Sequence, residues 1–296
     1  MIGAVKMTLN SSRLKKKITS GVIKFVKLLI LMGICFVVLY PQFEKVAVSF
    51  MSVDDLYDSS VQYIPSDFSF NNYKTAIEYT NYWRTVLRTV LFVTANSLLQ
   101  VSSAMLIGYG FARFDFKGKK LLFGCVIATL IIPIQSFIVP LYKYFLNFNL
   151  LNTPLPILLL SIGGIGLKSG LYIFMFRQRF AAIPKELDES GKIDGAGTFK
   201  IFTSIMLPSA TTVTVTCFLF SFVWQWTDNY YISVFMPSNQ YLSNMVSAIA
   251  TRSTDVYLLS ILTNTGTVLL VLPILLLFLV AQRFFVQGVE TAGIVG

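Results

Sequence analysis

Six stretches of this sequence, at about 25–43, 86–112, 121–142, 155–176, 210–235 and 257–281, are apolar for close to the ~20 residues that a helix needs to cross a membrane. Lipid offers no hydrogen-bond partners, so a spanning segment must satisfy its backbone internally as a helix or in a closed barrel, and spans of this length favour the helix. The composition agrees, with 55% hydrophobic and only 13% charged residues, against roughly 25% charged in soluble domains. The chain is therefore expected to be an all-α integral membrane protein with six transmembrane helices. Such a composition excludes a large soluble catalytic domain, a disordered chain and a disulfide-stapled secreted fold. The first stretch follows Lys15, Lys16 and Lys17 as a signal peptide would, but Tyr40-Pro41-Gln42-Phe43 offers no small-residue cleavage site, so it reads as a retained helix.

The net charge of +10 would suggest nucleic acid in a soluble protein, but its placement says otherwise. Basic residues crowd into alternate connections: Lys6, Arg13, Lys15, Lys16, Lys17, Lys24 and Lys27 before the first span, Arg113, Lys117, Lys119 and Lys120 between the second and third, Arg177, Arg179, Lys185, Lys192 and Lys200 between the fourth and fifth, and Arg283 after the last. Cytoplasmic loops retain positive charge, so both termini are expected in the cytoplasm, with membrane lipid and no nucleic acid as a partner. The expected division is a basic N-terminus at 1–24, a first helix and long external loop at 25–85, a five-helix core at 86–281 containing a cytoplasmic segment at 177–208, and a cytoplasmic tail at 282–296. Cys35, Cys125 and Cys217 lie in separate apolar stretches and the chain has no His. A Cys/His metal site and His acid–base chemistry are thereby excluded.

The external loop from Glu44 to about Thr85 is acidic and aromatic, long enough either to fold locally and meet a partner or to remain an ordinary solvated loop. Within the fourth span, Gly163-Gly164-Ile165-Gly166-Leu167-Lys168-Ser169-Gly170 imitates a phosphate loop, but Leu167 stands where the Walker pattern needs glycine. The glycines suit close helix packing or a local break. Lys168 must then face protein or water, either bonded between helices, for instance to Asp228, or contributing to a polar path.

The cytoplasmic segment carries the most specific pattern. Pro184 suits a helix start, Glu186, Asp188 and Glu189 follow where the dipole favours acids, and Gly195 supplies a stop. Phe199, Phe202 and Met206 then form an amphipathic run able to lie against the underside of the membrane domain, with Leu207-Pro208 closing it. Glu189, Asp194, Gly195, Ala196, Phe202, Ile205, Leu207 and Pro208 match, residue for residue, the cytoplasmic signature of the permease family of binding-protein-dependent ABC importers. Here the chain resembles that family, with Ser190-Gly191 replacing a pair of alanines at a helix cost of roughly 1 kcal/mol for the glycine. Further likeness, from about Phe70 to the end, is to the carbohydrate branch of the smaller maltose-type permease subunit, through Asn71-Asn72-Tyr73, Gly108 to Phe114, Leu150 to Thr153 and Gln282 to Gly288.

This resemblance implies a type I ABC importer permease fold and a heterodimer with a second permease subunit. It also implies two cytoplasmic ATPase subunits, which hold the ATP and Mg while this chain binds no cofactor and catalyses nothing, and an extracytoplasmic solute-binding protein. The setting is a bacterial or archaeal cytoplasmic membrane. Glu189, Ser190, Gly191, Asp194, Gly195 and Ala196 are then the candidates for coupling to the ATPase, supported by Phe202, Ile205, Leu207 and Pro208.

In the fifth span, Trp224, Trp226, Asp228 and Asn229 suit a sugar path, because sugars stack apolar faces on aromatic rings and need paired hydroxyls. With Lys168 they are the candidate path residues, although Trp and Tyr also form interfacial belts. The expected function is the permease half of an ATP-driven importer of a sugar or oligosaccharide. A secondary transporter of a small polar solute is the alternative, and it needs a coupling-ion site for which Asp228 is the clear span carboxylate. A membrane enzyme needs clustered acids or His near the interface, which the sequence lacks.

Overall fold

The computed structural model describes residues 2–249 and 254–293; the last residues of the expected tail, 294–296, lie outside them. Among the described residues the structure is helical throughout, in two compact units, Met1–Tyr73 with Asp255–Val268 and Lys74–Thr254 with Leu269–Gly296.

In the first unit, α1 (Ile2–Ser49) is followed by α2 (Val53–Tyr57) and the start of α3 (Asn71–Thr80). The stretch Ser20–Ser49 of α1 has a mean hydropathy of 2.6 over its most apolar window, and none of that window is buried in the chain. Its environment must therefore come from outside the chain, which is what lipid supplies. The end of α1 leaves carbonyls without helical partners. Asn72 meets that need, its Nδ2 donating to Ser49 O at 3.0 Å and Met51 O at 2.8 Å. α2 is fixed by a capping box: Asp55 N donates to Ser52 Oγ at 3.1 Å, and Ser52 N donates back to Asp55 Oδ2 at 2.9 Å. Ser66 N also donates to Asp55 Oδ1 at 3.3 Å, so one buried carboxylate closes the loop that follows. Hydrogen bonds from Ser66 and Ser52 hold the Asp55 carboxyl below its usual range, so this closure is complete at neutral pH and is lost only as pH falls through that lowered value. The external loop thus folds locally.

In the second unit, α4 (Tyr82–Arg113) is the central helix. It is followed by α5 (Lys119–Ile131), α6 (Ile138–Asn147), α7 (Leu155–Ile162), α8 (Ser169–Ala181), α9 (Glu186–Ile193), α10 (Thr198–Ile201), α11 (Leu207–Ser209), α12 (Thr211–Thr227), α13 (Tyr230–Phe235), α14 (Leu242–Ile249) and α15 (Val256–Gly293), the first residues of α15 belonging to the other unit. The core lies between α4 and α8, where Val101, Ala104, Met105 and Tyr109 meet Tyr172, Ile173, Phe176 and Phe180. Gly108 makes this approach possible, since a Cβ there would stand 2.6 Å from Phe176 Cβ and 3.0 Å from Arg177 N.

Among the described residues, three helices are long and apolar enough to cross a membrane, Ser20–Ser49, Tyr82–Arg113 and Val256–Val280, and the pair Thr198–Ser209 and Thr211–Thr227, bent by 77°, makes a fourth if counted as one span. The third, fourth and fifth expected spans are not continuous helices. The third stops where Ile132 turns extended (φ −73°, ψ 123°) before Pro133, which disfavours the helical conformation in the residue it follows. The fourth is interrupted from Gly163 to Lys168, with Gly164 at φ +71° and Lys168 at φ +62°. The fifth is interrupted at Asp228 and Asn229. Hydropathy measures the solvent a segment tolerates and is blind to helical continuity, which turns on single residues.

Candidate functional site

The cytoplasmic segment is built on α9. Its first turn carries Glu186, Asp188 and Glu189 and its last Lys192, each charge matching the helix dipole. Its C-terminus closes as a Schellman motif: Ala196 N donates to Gly191 O at 2.9 Å and Gly195 N to Lys192 O at 3.0 Å. Gly195 sits at φ +78°, which glycine alone adopts without strain. Gly191 is buried, and a Cβ there would come within 3.2 Å of Ile201 Cγ1 and 3.3 Å of Ile205 Cδ1. This lets α9 lie against α10 and the π-helical turn Phe202–Met206. Phe202 is buried, Ile205, Leu207 and Ala196 are half-buried, and Glu189, Ser190, Asp194, Gly195 and Pro208 are exposed.

The amphipathic run needs one correction. Phe202 and Met206 join the core, but Phe199 is 78% exposed, because α10 ends at Ile201 and the π turn shifts the facing that a regular helix would keep. Ile193, at the end of α9, is 86% exposed. The segment therefore shows apolar side chains outward beside the exposed Glu189.

One anchor of this segment was not legible as such. Arg113, the last residue of α4, forms an ion pair with Asp188 of α9, Nε to Oδ2 3.2 Å, with both side chains largely buried. The same guanidinium donates to Ile183 O at 2.8 Å, so it grips the chain on both sides of Pro184. Reading Arg113 only as topology charge hid this role. By contrast, Lys119 donates to Asp115 Oδ1 at 3.0 Å and holds that carboxyl below its usual range, but Asp115 is exposed and the pair stabilises little.

The candidate path residues are divided. Lys168 is exposed, and its Nζ lies 5.7 Å from the centroid of the Trp224 ring rather than in an ion pair with Asp228. Trp224 stacks on Phe220, with centroids 5.9 Å apart. Trp226 is buried, stacks on Phe222, and donates its indole N–H to Leu270 O of α15 at 3.1 Å. Asp228 Oδ1 accepts from Tyr230 N at 3.1 Å and Tyr231 N at 3.3 Å, starting α13 after the break. Asn229 is exposed, and its Oδ1 accepts from Ser233 Oγ at 3.0 Å. Lys168 and Trp224 thus meet, while Trp226 is turned toward α15.

A second polar feature escaped the sequence reading. Gln100 of α4, fully buried, donates from Nε2 to Leu167 O at 2.7 Å, on the interrupted stretch between α7 and α8, and to Ser169 Oγ at 2.8 Å, at the start of α8. Its Oε1 accepts from Ser221 Oγ at 2.6 Å and Gln225 Nε2 at 2.7 Å on α12. Gln225 Oε1 in turn accepts from Asn96 Nδ2. Because Leu167 O can only accept, it fixes which way Gln100 points, and that fixes Gln225 and then Asn96. Asn96, Gln225, Gly166, Leu167, Asp228 and Tyr231 border a small cleft with room for about one water, too little for a sugar ring. Spacing held the signal: Asn96 and Gln100, like Ser221 and Gln225, stand four apart on one helix face. Gln100→Leu should leave Leu167 O unpaired at about 1–3 kcal/mol, and the Gln225 amide held only by Ser221 and Asn96. Thermal unfolding of the detergent-solubilised protein should begin several degrees lower than for wild type; an unchanged midpoint would show the network to be incidental.

Comparison with known proteins gives consistent likenesses. The family "Binding-protein-dependent transport system inner membrane component" matches residues 104–291. A melibiose/raffinose/stachyose import permease of Bacillus subtilis is 29% identical over 80% of this chain and 85% of its own length. A lactose transport system permease of Rhizobium radiobacter is 33% identical over 70% and 72%. An arabinooligosaccharide transport system permease of Halalkalibacterium halodurans is 26% identical over 95% and 100%. Among solved structures, a chain of a bacterial ABC transporter that imports the acidic polysaccharide alginate shares the fold, with a TM-score of 0.73 at 17% identity over 89% of this chain and 96% of that one.

Proposed function

This chain belongs to the inner-membrane components of binding-protein-dependent transport systems, multi-pass proteins of the cytoplasmic membrane, and from that premise we propose that it is the permease subunit that forms half of the membrane pathway of an ATP-driven sugar or oligosaccharide importer. The sugars named for the three relatives support the substrate class. The chain crosses the membrane six times with both ends inside, the third to fifth crossings each made of two helices. It pairs with a second permease subunit, receives solute from an external binding protein, and passes force to two ATPase subunits that hold the ATP and Mg. The divisions at 1–24, 25–85, 86–281 and 282–296 follow from that topology.

The observation that carries the proposal is α9: a short helix with its own stop at Gly195, gripped from behind by Arg113 and presenting Glu189 and Ile193 outward, with Phe199 of α10 exposed after it. A coupling element needs those properties together, because an exposed apolar face gives a partner something to hold and a rigid root lets the hold transmit motion. Ser190, Gly191, Asp194 and Ala196 complete the element, with Phe202, Ile205, Leu207 and Pro208 as its bed. Lys168, Trp224, Asp228 and Asn229 border the solute path in this half, with Trp226 behind them, buried and bonded to Leu270 O. The cleft bordered by Asn96, Gln225 and Asp228 has room for about one water and does not itself hold a sugar; in the proposed heterodimer the path lies between this subunit and its permease partner.

In the assembled transporter, Glu189→Lys reverses the charge of the outward face and Gly195→Pro forbids the positive φ of the stop. Both variants should insert and assemble, while stimulation of ATP hydrolysis by the solute-loaded binding protein falls at least tenfold, about 1.4 kcal/mol of coupling. Wild-type stimulation in assembled Gly195→Pro would remove α9 as the coupling element.

A further inference from the structure

The external loop does not simply rise into water from the end of α1. Its two ends are fastened near Ser49, by the Asp55 capping box with Ser66 and by Ser69 N donating to Phe50 O at 2.9 Å. Between these fastenings the chain returns along α1: the hydroxyls of Tyr63 and Tyr40 meet at 2.8 Å and their rings pack edge to face with centroids 6.1 Å apart. Tyr40 lies nine residues before Ser49, which is about 14 Å down the helix axis. The five residue-to-residue steps from Asp58 to Tyr63 reach about 17 Å when extended, enough for that descent.

Tyr40 belongs to the apolar stretch of α1, one turn before Glu44 and Lys45 mark the aqueous side. Phe36 packs against Tyr40 with centroids 5.7 Å apart, continuing the same face downward. Phe36, Tyr63 and Ile64 are 66%, 52% and 77% exposed in this chain. An isoleucine and a tyrosine held by a hydrogen bond at the outer end of an apolar helix stand at the depth where aromatic and apolar side chains partition between headgroups and acyl chains.

We propose that the 58–64 turn of the external loop is a membrane-interface anchor, docked on Tyr40 and inserting Tyr63 and Ile64 into the outer leaflet. The occupant of this surface is lipid, because the surface is continuous with the face of α1 that lipid already covers. The anchor holds the acidic part of the loop, Asp54, Asp55 and Asp58, at a fixed height above the bilayer.

The proposal rests on α1 being a span, and the test separates the two. With Cys35 and Cys125 replaced by serine and the buried Cys217 by alanine, spin labels are placed singly at Ile30→Cys, Ser60→Cys and Ile64→Cys in the assembled transporter, in phosphatidylcholine–phosphatidylglycerol vesicles. Power saturation then compares contact with oxygen, which concentrates in lipid, and with a nickel chelate, which stays in water. Positions 30 and 64 should favour oxygen and position 60 nickel. Adding Tyr40→Ala should reverse the preference at 64 and leave 30 unchanged. Nickel contact at 64, or shielding of 64 from both reagents by a protein neighbour, overturns the anchor while an oxygen-favouring label at 30 leaves the span intact. Nickel contact at 30 overturns both, and an unmoved label at 64 in Tyr40→Ala overturns the docking contact.

Discussion

Arg113→Ala should uncouple the transporter more severely than any change on the outward face of α9. The guanidinium and the Asp188 carboxylate are both largely buried at 3.2 Å, and removing one partner of such a pair costs roughly 3–5 kcal/mol because the other charge is left stranded. The loss falls on one short helix, whose root is also held by the Arg113 bond to Ile183 O. α9 should therefore detach from α4, and stimulated ATP hydrolysis should drop to the basal rate while the subunits still purify together. Limited proteolysis from the cytoplasmic side should cut between 184 and 196 in the variant and spare the wild type. Removing both charges together separates this from general unfolding, since an apolar pair of similar volume often replaces a buried ion pair at no cost. Arg113→Met with Asp188→Leu should resist the protease better than either single change. If Arg113→Ala retains full stimulation, the grip on α9 has no part in coupling.

The second large effect concerns two glycines of α4 that a sequence cannot tell apart. A Cβ at Gly108 would lie 2.6 Å from Phe176 Cβ, 3.0 Å from Arg177 N and 3.1 Å from Ile173 O, whereas at Gly110 nothing stands within 4 Å. The atoms facing Gly108 are a helix backbone and a β-carbon, which cannot swing aside. Gly108→Val should force α4 and α8 apart, with a cost at or beyond the ~1–3 kcal/mol typical of overpacking, and assembled complex in the membrane should fall to a small fraction of wild type. Gly110→Ala should match or exceed wild type, because alanine favours a helix interior by about 1 kcal/mol. Equal yields from the two variants would refute the close α4–α8 contact.

Much of the architecture is written in features that survive without tertiary information. Apolar stretches of span length announce a membrane chain, and Pro184, the acidic first turn and Gly195 mark α9, because caps and dipoles act within a few residues. What the sequence hid depends on meetings between distant segments. Arg113 finds Asp188 across 75 positions, Gln100 finds Leu167 in the break of the fourth span and Gln225 on another helix, and Trp226 finds Leu270. The glycines of the fourth span allow its local break, whereas the breaks in the third and fifth do not show in the sequence: Pro41 and Pro273 sit inside unbroken helices, so proline alone does not say where a span divides. Phe199 was misjudged because a regular helical period was carried across the π-helical turn at Phe202–Met206.

Whether this chain hands its motion to an ATPase through α9 is read by a photo-reactive amino acid at Ile193, 86% exposed at the end of that helix. The tagged protein is irradiated in its native membranes, purified, and its cross-linked neighbours are identified by mass spectrometry. Coupling through α9 is expected to give one dominant product, with a nucleotide-hydrolysing subunit, and that product should disappear when the probe is moved to Ile64 on the external loop. A protein that purifies without any ATPase, with the probe at 193 joined to nothing that hydrolyses ATP, would contradict it.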